Sequence, residues 1–382
     1  MPEELRIIDF GRVSPLRSQT TWHAVAYGVS EGAPATLSFA RPSHPYVCVG
    51  YHRDLAEVDR DYCRSNGLPV YRRMVGGGPV YLDSGQLFFQ ITLPAAAVSP
   101  SRVEALRVLL APAVAAFRAA GVDARLDDDG EICVGDRKIC GHGAGQIEDA
   151  VVVCGNLIER FDHERAAGVL AMPDKEQRAQ TLDLMRRYVS ATAVDPERFR
   201  ASLTTAYAAA LGLAPVSGSL ISAERARLAK LDERFTSEEW LAGPARTPSA
   251  RPRQVKVRAG VWTFSAVSGP AWVAASVVRD VVTAARLRAP GLNGRTEAAQ
   301  RAITGVSLAQ VSGVLAGFGE PGRRLAAAFA AADGERIGCR TTPARCSRWT
   351  GSRWRWTGCI TPRPTCGSRC PGPPVRPPRG SA

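Results

Sequence analysis

Three consecutive glycines, Gly76-Gly77-Gly78, follow two arginines, Arg72 and Arg73, in the segment YRRMVGGGPVY. Glycines let a backbone take up positive φ and approach a ligand closely. Guanidinium groups present planar forks of donors that match a carboxylate or a phosphate. For an isolated triple glycine an ordinary tight turn is the plainer reading, and the segment is neither a P-loop nor a GxGxxG fingerprint. A second stretch, GDRKICGHGAGQ, carries Lys138, Cys140, His142 and Gln146. A strand lysine just after a tight turn could neutralise a carboxylate or an α-phosphate. From spacing alone, a solvated surface lysine is the simpler account. Cys140 stands two residues from that ammonium, which would lower its thiol pKa and make a nucleophile possible. A small buried hydrophobe in a strand is the plainer reading of it. His142 in its glycine-rich loop and His163 at a helix start are more often structural than catalytic types. Taken singly, these residues do not define a reaction.

The elements that must position them mix hairpins and helices without a regular βαβ rhythm. Residues 1–40 carry a weakly apolar, helical or mixed pattern, and YVCVGY (46–51) is a short β-rich run. Asp54 reads as the N-cap of a helix, DLAEVDRDYCRS, with Gly67 just past its end. PVYRR is a strand that runs into the glycines. PVYLDSGQLFFQITL then reads as two strands around Asp83-Ser84-Gly85, a hairpin-type turn. Ser99-Pro100 starts a helix with Val103, Leu106, Leu109, Leu110, Val114 and Phe117 at three- and four-residue spacing, bent at Pro112. GEICVGDRKICGHG is a strand pair turning at Gly135-Asp136, AVVVCGNLI a buried strand, and FDHERAAGVLAM a helix. This order favours an α+β fold over a doubly wound parallel sheet. Residues 235–255, around RTPSARPRQ, read as a linker after a first domain of residues 1–234. QVKVRAGVWTFSA opens a smaller unit of two strands and two helices, TEAAQRAI and SLAQVSGVLAGF, over residues 256–334.

The net charge of +13 in 382 residues suggests a nucleic-acid partner until its distribution is read. From Arg336 onward there are ten Arg and no Lys, Asp or Glu, which leaves +3 for everything before it. The body is close to neutral and has no basic patch for a phosphate backbone. The same tail, residues 335–382, has five of the ten Cys, eight Pro, three Trp, no Leu and no Phe after Arg336. Such a segment cannot bury enough apolar surface to offset its ordering entropy. A stretch translated out of its natural frame accounts for it better than a basic disordered arm. Cys48, Cys63, Cys133, Cys140 and Cys154 form no paired CxxC, so no metal site is expected and free thiols are. No run of about 18 apolar residues marks a membrane span, and MPEELRIIDFG lacks the basic start and apolar stretch of a signal peptide. A cytoplasmic location is expected.

Read in order, the segments resemble the lipoate–protein ligase family, part of the superfamily that includes biotin–protein ligases and lipoyl/octanoyl transferases. The likeness begins near PYVCVGY and includes YRRMVGGGPVYLDSGQLFF, similar to the family's RRxxGGGxVYxDxGxLxF. GEICVGDRKICG resembles its D-I-x-x-x-G-x-K-I-x-G, and CGNLI stands where the family has H-G-T-L-L. The catalytic likeness covers about residues 35–190, and about 256–332 is similar to the family's small accessory domain. The resemblance implies a mixed sheet with packed helices and a small α+β C-terminal domain. It implies that Arg72, Arg73, Gly76, Gly77, Gly78, Val80, Tyr81, Asp83 and Gly141 line the acyl-carboxylate and nucleotide site. Lys138 would contact carboxylate and phosphate and stabilise the charge built up in acyl transfer. Apolar strands on either side would make a tunnel for a saturated chain. Three departures stand out: Leu82 replaces a His, Gln86 an Asn, and Gly130-Glu131 an Asn-Asp pair. Glu131 is the substitute for the acid that helps place metal or nucleotide.

The implied reaction is ATP-dependent, with Mg²⁺, and joins lipoate or octanoate to a lysine of a lipoyl carrier domain of the 2-oxoacid dehydrogenase or glycine-cleavage H type. The superfamily also contains acyltransferases that work through a cysteine thioester. They place the cysteine well upstream of the strand lysine, or downstream in a Pro-Cys-Gly turn. The corresponding segments here, AGVDARLDDDG and VLAMPDKEQ, contain no Cys. A binder that kept the pocket and lost the chemistry is the third alternative.

Overall fold

The structure, a computed structural model, describes residues 4–243 and 253–341. The chain opens with β1 (Glu4–Val13), α1 (Arg17–Ser30), β2 (Thr36–Pro42) and β3 (Tyr46–Val49). It continues through α2 (Arg60–Ser65), β4 (Val70–Arg72), β5 (Val80–Leu82), β6 (Gln86–Pro94) and α3 (Arg102–Ala119). Four short strands and a long one follow: β7 (Arg125–Leu126), β8 (Ile132–Val134), β9 (Arg137–Cys140), β10 (His142–Ile147) and β11 (Ala150–Ile158). Then come α4 (His163–Gly168), α5 (Lys175–Tyr188), α6 (Pro196–Leu211), β12 (Ala214–Ser217), α7 (Ser222–Thr236) and α8 (Glu238–Ala242).

A six-stranded sheet in the order β10-β11-β6-β2-β1-β12 is the frame. β1 pairs in parallel with β2 and β12, while β6, β11 and β10 run antiparallel to their neighbours, so the sheet is mixed as expected. Both faces are covered, which is why β6 (QLFFQITLP) reads as an almost continuous buried run rather than an alternating one. Leu87, Phe89, Ile91 and Leu93 face a core shared with Leu106, Leu109, Phe117, Phe199 and Leu203 of α3 and α6. Tyr207 of α6 donates its hydroxyl to the Leu109 carbonyl at 2.7 Å. The opposite face is covered by α1, against which α7 packs.

Two local expectations are corrected. β5 and β6 do not form a hairpin: β5 pairs with β3 in a three-stranded sheet (β4-β3-β5), and β6 joins the large sheet. The Asp83 carboxylate accepts the Gly85 N–H at 2.8 Å, so the turn chemistry is present, but it passes the chain between sheets. The helix read over 54–65 is broken at Val58, which is buried in extended conformation. Asp54 caps a 3-10 turn and Asp59 caps α2 separately.

The C-terminal unit is larger than its expected two strands and two helices. An antiparallel meander, β13 (Arg253–Arg258), β14 (Val261–Ser268), β15 (Ala271–Val278) and β16 (Val281–Arg288), carries α9 (Thr296–Ile303), α10 (Leu308–Ala316) and α11 (Gly319–Thr341) on one face. That face has its own core of Phe264, Val273, Val277, Leu287, Val311, Leu325 and Phe329. The other face presents Thr263, Ser265 and Ser276 and packs on α5, where Thr181 and Thr263 hydroxyls lie 2.9 Å apart. The expected linker over 235–255 is displaced, because Phe235 and Trp240 are buried against α1 and hold α7 and α8 to the first unit. Residues 244–252, and the tail beyond 341, lie outside the described residues. Among the described residues no helix is long and apolar enough to cross a membrane.

Candidate active site

β4 delivers Arg72 and Arg73 to the start of the glycine loop, and both guanidinium groups turn inward. Arg72 is fully buried. Its Nη1 donates to the carbonyls of Gly50, Tyr51 and Arg53 at 2.8–3.0 Å, its Nε to Leu241 at 3.0 Å and its Nη2 to Ala242 at 3.3 Å. Arg73 donates to Cys48 through Nη1, to Gly76 through Nε and Nη2, and to Gly78 through Nη2 at 3.0 Å. The forks expected to meet a ligand are thus occupied by main-chain oxygens, and in this structure they shape the loop.

The loop's polarity follows from that arrangement. Arg73 takes the carbonyls of Gly76 and Gly78, while no hydrogen bond among the described residues engages the N–H groups of Gly76, Gly77 or Gly78. A run of free main-chain donors is a concavity suited to an anion. Gly77 has φ +101°, and a Cβ on Gly50 would collide with the Gly77 carbonyl, so glycine is required on both sides of this contact.

His23 holds the loop from α1. Its Nδ1 lies 2.7 Å from the Gln19 carbonyl and its Nε2 3.0 Å from the Met74 N–H. Complete burial lowers its pKa to about 3, against the opposing hydrogen bond to Gln19. The ring is therefore neutral, donating through Nδ1 and accepting Met74 through Nε2. Nothing in its spacing marked it, because both of its partners are main-chain atoms.

Lys138 lies on β9, beside β8 across the turn at Gly135-Asp136. Its ammonium is 2.7 Å from Glu131 Oε2, and His142 Nε2 is 3.3 Å from the same oxygen. The other oxygen, Oε1, accepts the Ala259 N–H at 2.8 Å and has Lys256 Nζ at 3.6 Å. Glu131 is only 2% exposed. Burial alone would raise its pKa, but Lys138, Lys256 and His142 outweigh it and hold the carboxyl well below its ordinary range. The loop before it is stiffened by Asp127, whose Oδ1 accepts the N–H groups of Asp129 and Glu131 and whose other oxygen pairs with Arg258. Lys256, Arg258 and Ala259 belong to the first strand pair of the C-terminal unit, a contribution that no short motif reveals.

β10 joins the two halves of the site. A Cβ on Gly143 would lie 3.9 Å from the Gly76 carbonyl, and one on Gly145 would press into Val75, so the strand runs directly beneath the glycine loop. Gly141 donates to Asn156 Oδ1 at 2.6 Å, and Asn156 donates to Gln86 Oε1 at 2.8 Å, so Gln86 supports the turn after Lys138. β10 therefore links the glycine loop at Gly76, Gly77 and Gly78 to the turn at Gly141 and, through His142, to Glu131 and Lys138. Val80 is exposed at its rim, Tyr81 packs into a core with Val47 and Ile158, and Asp83 serves its turn.

Cys140 does not gain a lowered pKa from Lys138. Burial pushes its thiol up to about 12, and those of Cys133 and Cys154 likewise, with Cys63 at about 11 and Cys48 also raised. The described cysteines are free and are not poised as thiolates. Among the described residues no group of three or more His, Cys, Asp or Glu could hold a metal ion. Glu131 does not fit a metal either, since two lysines and a histidine already surround it and a further cation would be repelled.

A family model for the lipoyl protein ligase A/B catalytic domain matches residues 21–193. The chain is 25% identical over 213 residues to lipoate-protein ligase A subunit 1 of Thermoplasma acidophilum, covering 52% of this chain and 80% of that one. It is 26% identical over 275 residues to octanoyltransferase LipM of Moorella thermoacetica, covering 63% and 99%. Among solved structures, a bi-partite lipoate protein ligase of T. acidophilum, described with its E2 lipoyl domain, aligns with TM-score 0.58 at 25% identity over 64% of this chain and 98% of that chain. Lipoate-protein ligase A bound with ATP shares the fold, with TM-score 0.54 at 23% identity over 64% and 99%. Residues 21–193 thus match the lipoyl protein ligase A/B catalytic domain family, and the chain shares the fold of lipoate–protein ligases.

Proposed function

We propose that this protein is an ATP-dependent lipoate– or octanoate–protein ligase acting on lipoyl carrier domains. The carboxylate of the fatty acid attacks the α-phosphate of ATP, and pyrophosphate leaves. A lysine amine of a lipoyl carrier domain, of the 2-oxoacid dehydrogenase or glycine-cleavage H type, then attacks the acyl carbon, and AMP leaves. The observation that supports this reading is that β10 links two groups: its Gly143 runs beneath the donor-rich glycine loop, and its His142 shares the Glu131 carboxylate with Lys138. Lys138 exchanges the Glu131 oxygen for the substrate carboxylate and then steadies charge on the acyl phosphate. The free N–H groups of Gly76, Gly77 and Gly78 take the phosphate oxygens. Arg72 and Arg73 act behind the loop, Gly141 supports the lysine strand, and Val80, Tyr81 and Asp83 build the wall of the site. An eight-carbon chain gains about 0.8 kcal/mol per buried CH₂, enough to bind with few polar contacts. Mg²⁺ belongs to this scheme as the counter-ion of the triphosphate, and no step is routed through it.

One finding favours a second reading. The similarity to octanoyltransferase LipM runs along 99% of that protein, which supports acyl exchange between carrier proteins without ATP. The raised thiol pKa values favour the ligase of the two. Incubation with ATP, labelled octanoate and a lipoyl domain tests it: the ligase gives labelled domain, pyrophosphate and AMP. A stable acyl adduct on a cysteine, formed from an octanoyl carrier without ATP, would overturn it in favour of the transferase.

A further inference from the structure

We infer that His142 is a catalytic base in the transfer half-reaction: paired with Glu131, it accepts the proton that the acceptor amine loses as the amide forms. The inference rests on the acyl-adenylate reading above.

His142 opens β10, and its side chain is 10% exposed. Its Nε2 and Glu131 Oε2 are both shut off from solvent and lie 3.3 Å apart, yet neither completes a well-angled hydrogen bond. Buried polar atoms left in this state call for an account, and a catalytic role is one. A buried carboxylate facing one ring nitrogen orients the imidazole and stabilises the imidazolium formed when the other nitrogen takes a proton. Here the other nitrogen is Nδ1, and no hydrogen bond among the described residues engages it. The ring also adjoins the other groups of the candidate site. Lys138 meets the same carboxylate oxygen, Lys256 approaches its partner oxygen, and Gly143, the next residue, lies beneath the Gly76 carbonyl. One carboxylate thus serves a cation for the acyl phosphate and a base for the amine.

The step balances without further reagents. The free amine of the acceptor lysine forms the C–N bond to the acyl carbon. The C–O bond to the adenylate phosphate breaks, and AMP leaves with the electron pair. The nitrogen, positively charged after attack, gives one proton to His142 Nδ1, which passes it to water.

The test supplies synthetic octanoyl-adenylate to the full chain with a lipoyl domain and measures single-turnover transfer. His142→Ala and the closer-sized His142→Asn should each lose about 10²-fold or more, the range of general-base assistance. Added imidazole should restore part of the loss, and hydroxylamine, a weakly basic acceptor, should show a much smaller deficit than the lysine. The wild type should show a solvent deuterium isotope effect on transfer to lysine. An unchanged rate in both variants, equal losses with lysine and hydroxylamine, or no isotope effect would each overturn the assignment. Because the adenylate is supplied, failure of the wild type to make it from ATP sinks the ligase reading separately.

Discussion

His23→Gln tests whether the clamp on the glycine loop is electrically neutral. A glutamine oxygen can still accept the Met74 N–H, so the perturbation removes the titrating ring and keeps an acceptor. In the folded chain burial lowers the His23 pKa from 6.5 to about 3. Between those values the unfolded chain carries a proton on this residue and the folded chain does not, so stability falls as pH falls. The sign is that of a base whose folded pKa is depressed: its contribution is intact above pH 6.5 and is lost progressively towards pH 3. Each pH unit inside the window is worth about 1.4 kcal/mol. At pH 5 the wild type should therefore have given up about 2 kcal/mol on this account, relative to neutral pH. Urea unfolding of both proteins from pH 7.5 down to about 5 measures it, and the remaining histidines, present in both, cancel in the difference. The Gln variant should show the shallower pH dependence, with the two curves converging in acid. Parallel curves would mean that folded His23 takes up a proton in this range, and the neutral-clamp argument would be wrong.

Lys138→Arg should lower acyl transfer by about 10²-fold, because a planar fork is not a point charge; full activity in steady-state assays would remove Lys138 from the reaction. Lys138→Met leaves Glu131 buried with less compensation, and breaking a buried pair costs about 3–5 kcal/mol. The remaining Lys256 and Ala259 contacts put the expected loss near the lower end. Because the folded Glu131 carboxyl sits well below 4.5, that loss should be full at neutral pH and shrink as pH drops below 4.5, read by denaturant unfolding at both ends. Gly50→Ala forces a Cβ onto the Gly77 carbonyl and should cost about 1–3 kcal/mol, with weaker nucleotide binding by calorimetry. Cys140→Ala should keep most activity, and complete loss in a folded variant would revive a thioester route.

The local framework of the candidate site was legible in the sequence. The turn at Gly135-Asp136 and the strand pair that presents Lys138 follow from a short alternating stretch, and the pairing of Val134 with Arg137 is as expected. What escaped is what depends on partners distant in sequence. Arg72 and Arg73 looked like ligand forks because residue type cannot tell a substrate carboxylate from a main-chain carbonyl. His23 was silent for the same reason. Glu131 was singled out only as the residue in place of a missing acid, while its ring of cations depends on how Lys256 packs back onto the first unit. The hairpin assigned around Asp83 failed because turn residues specify a reversal of the chain and not which sheet receives the next strand.

The bond from Ala259 to Glu131 spans 128 residues of chain. Contacts of such separation cannot form until the intervening polypeptide has been made and collapsed, so they belong to the late events of folding. The glycine loop and the Lys138 strand leave the ribosome well before β13 does. During that interval the nascent chain holds the recognisable part of the site while Glu131 lacks two of its four neighbours. The finished environment of Glu131 is therefore a report on completed synthesis: a chain interrupted before Lys256 would carry every motif of the candidate site and still lack its final electrostatics.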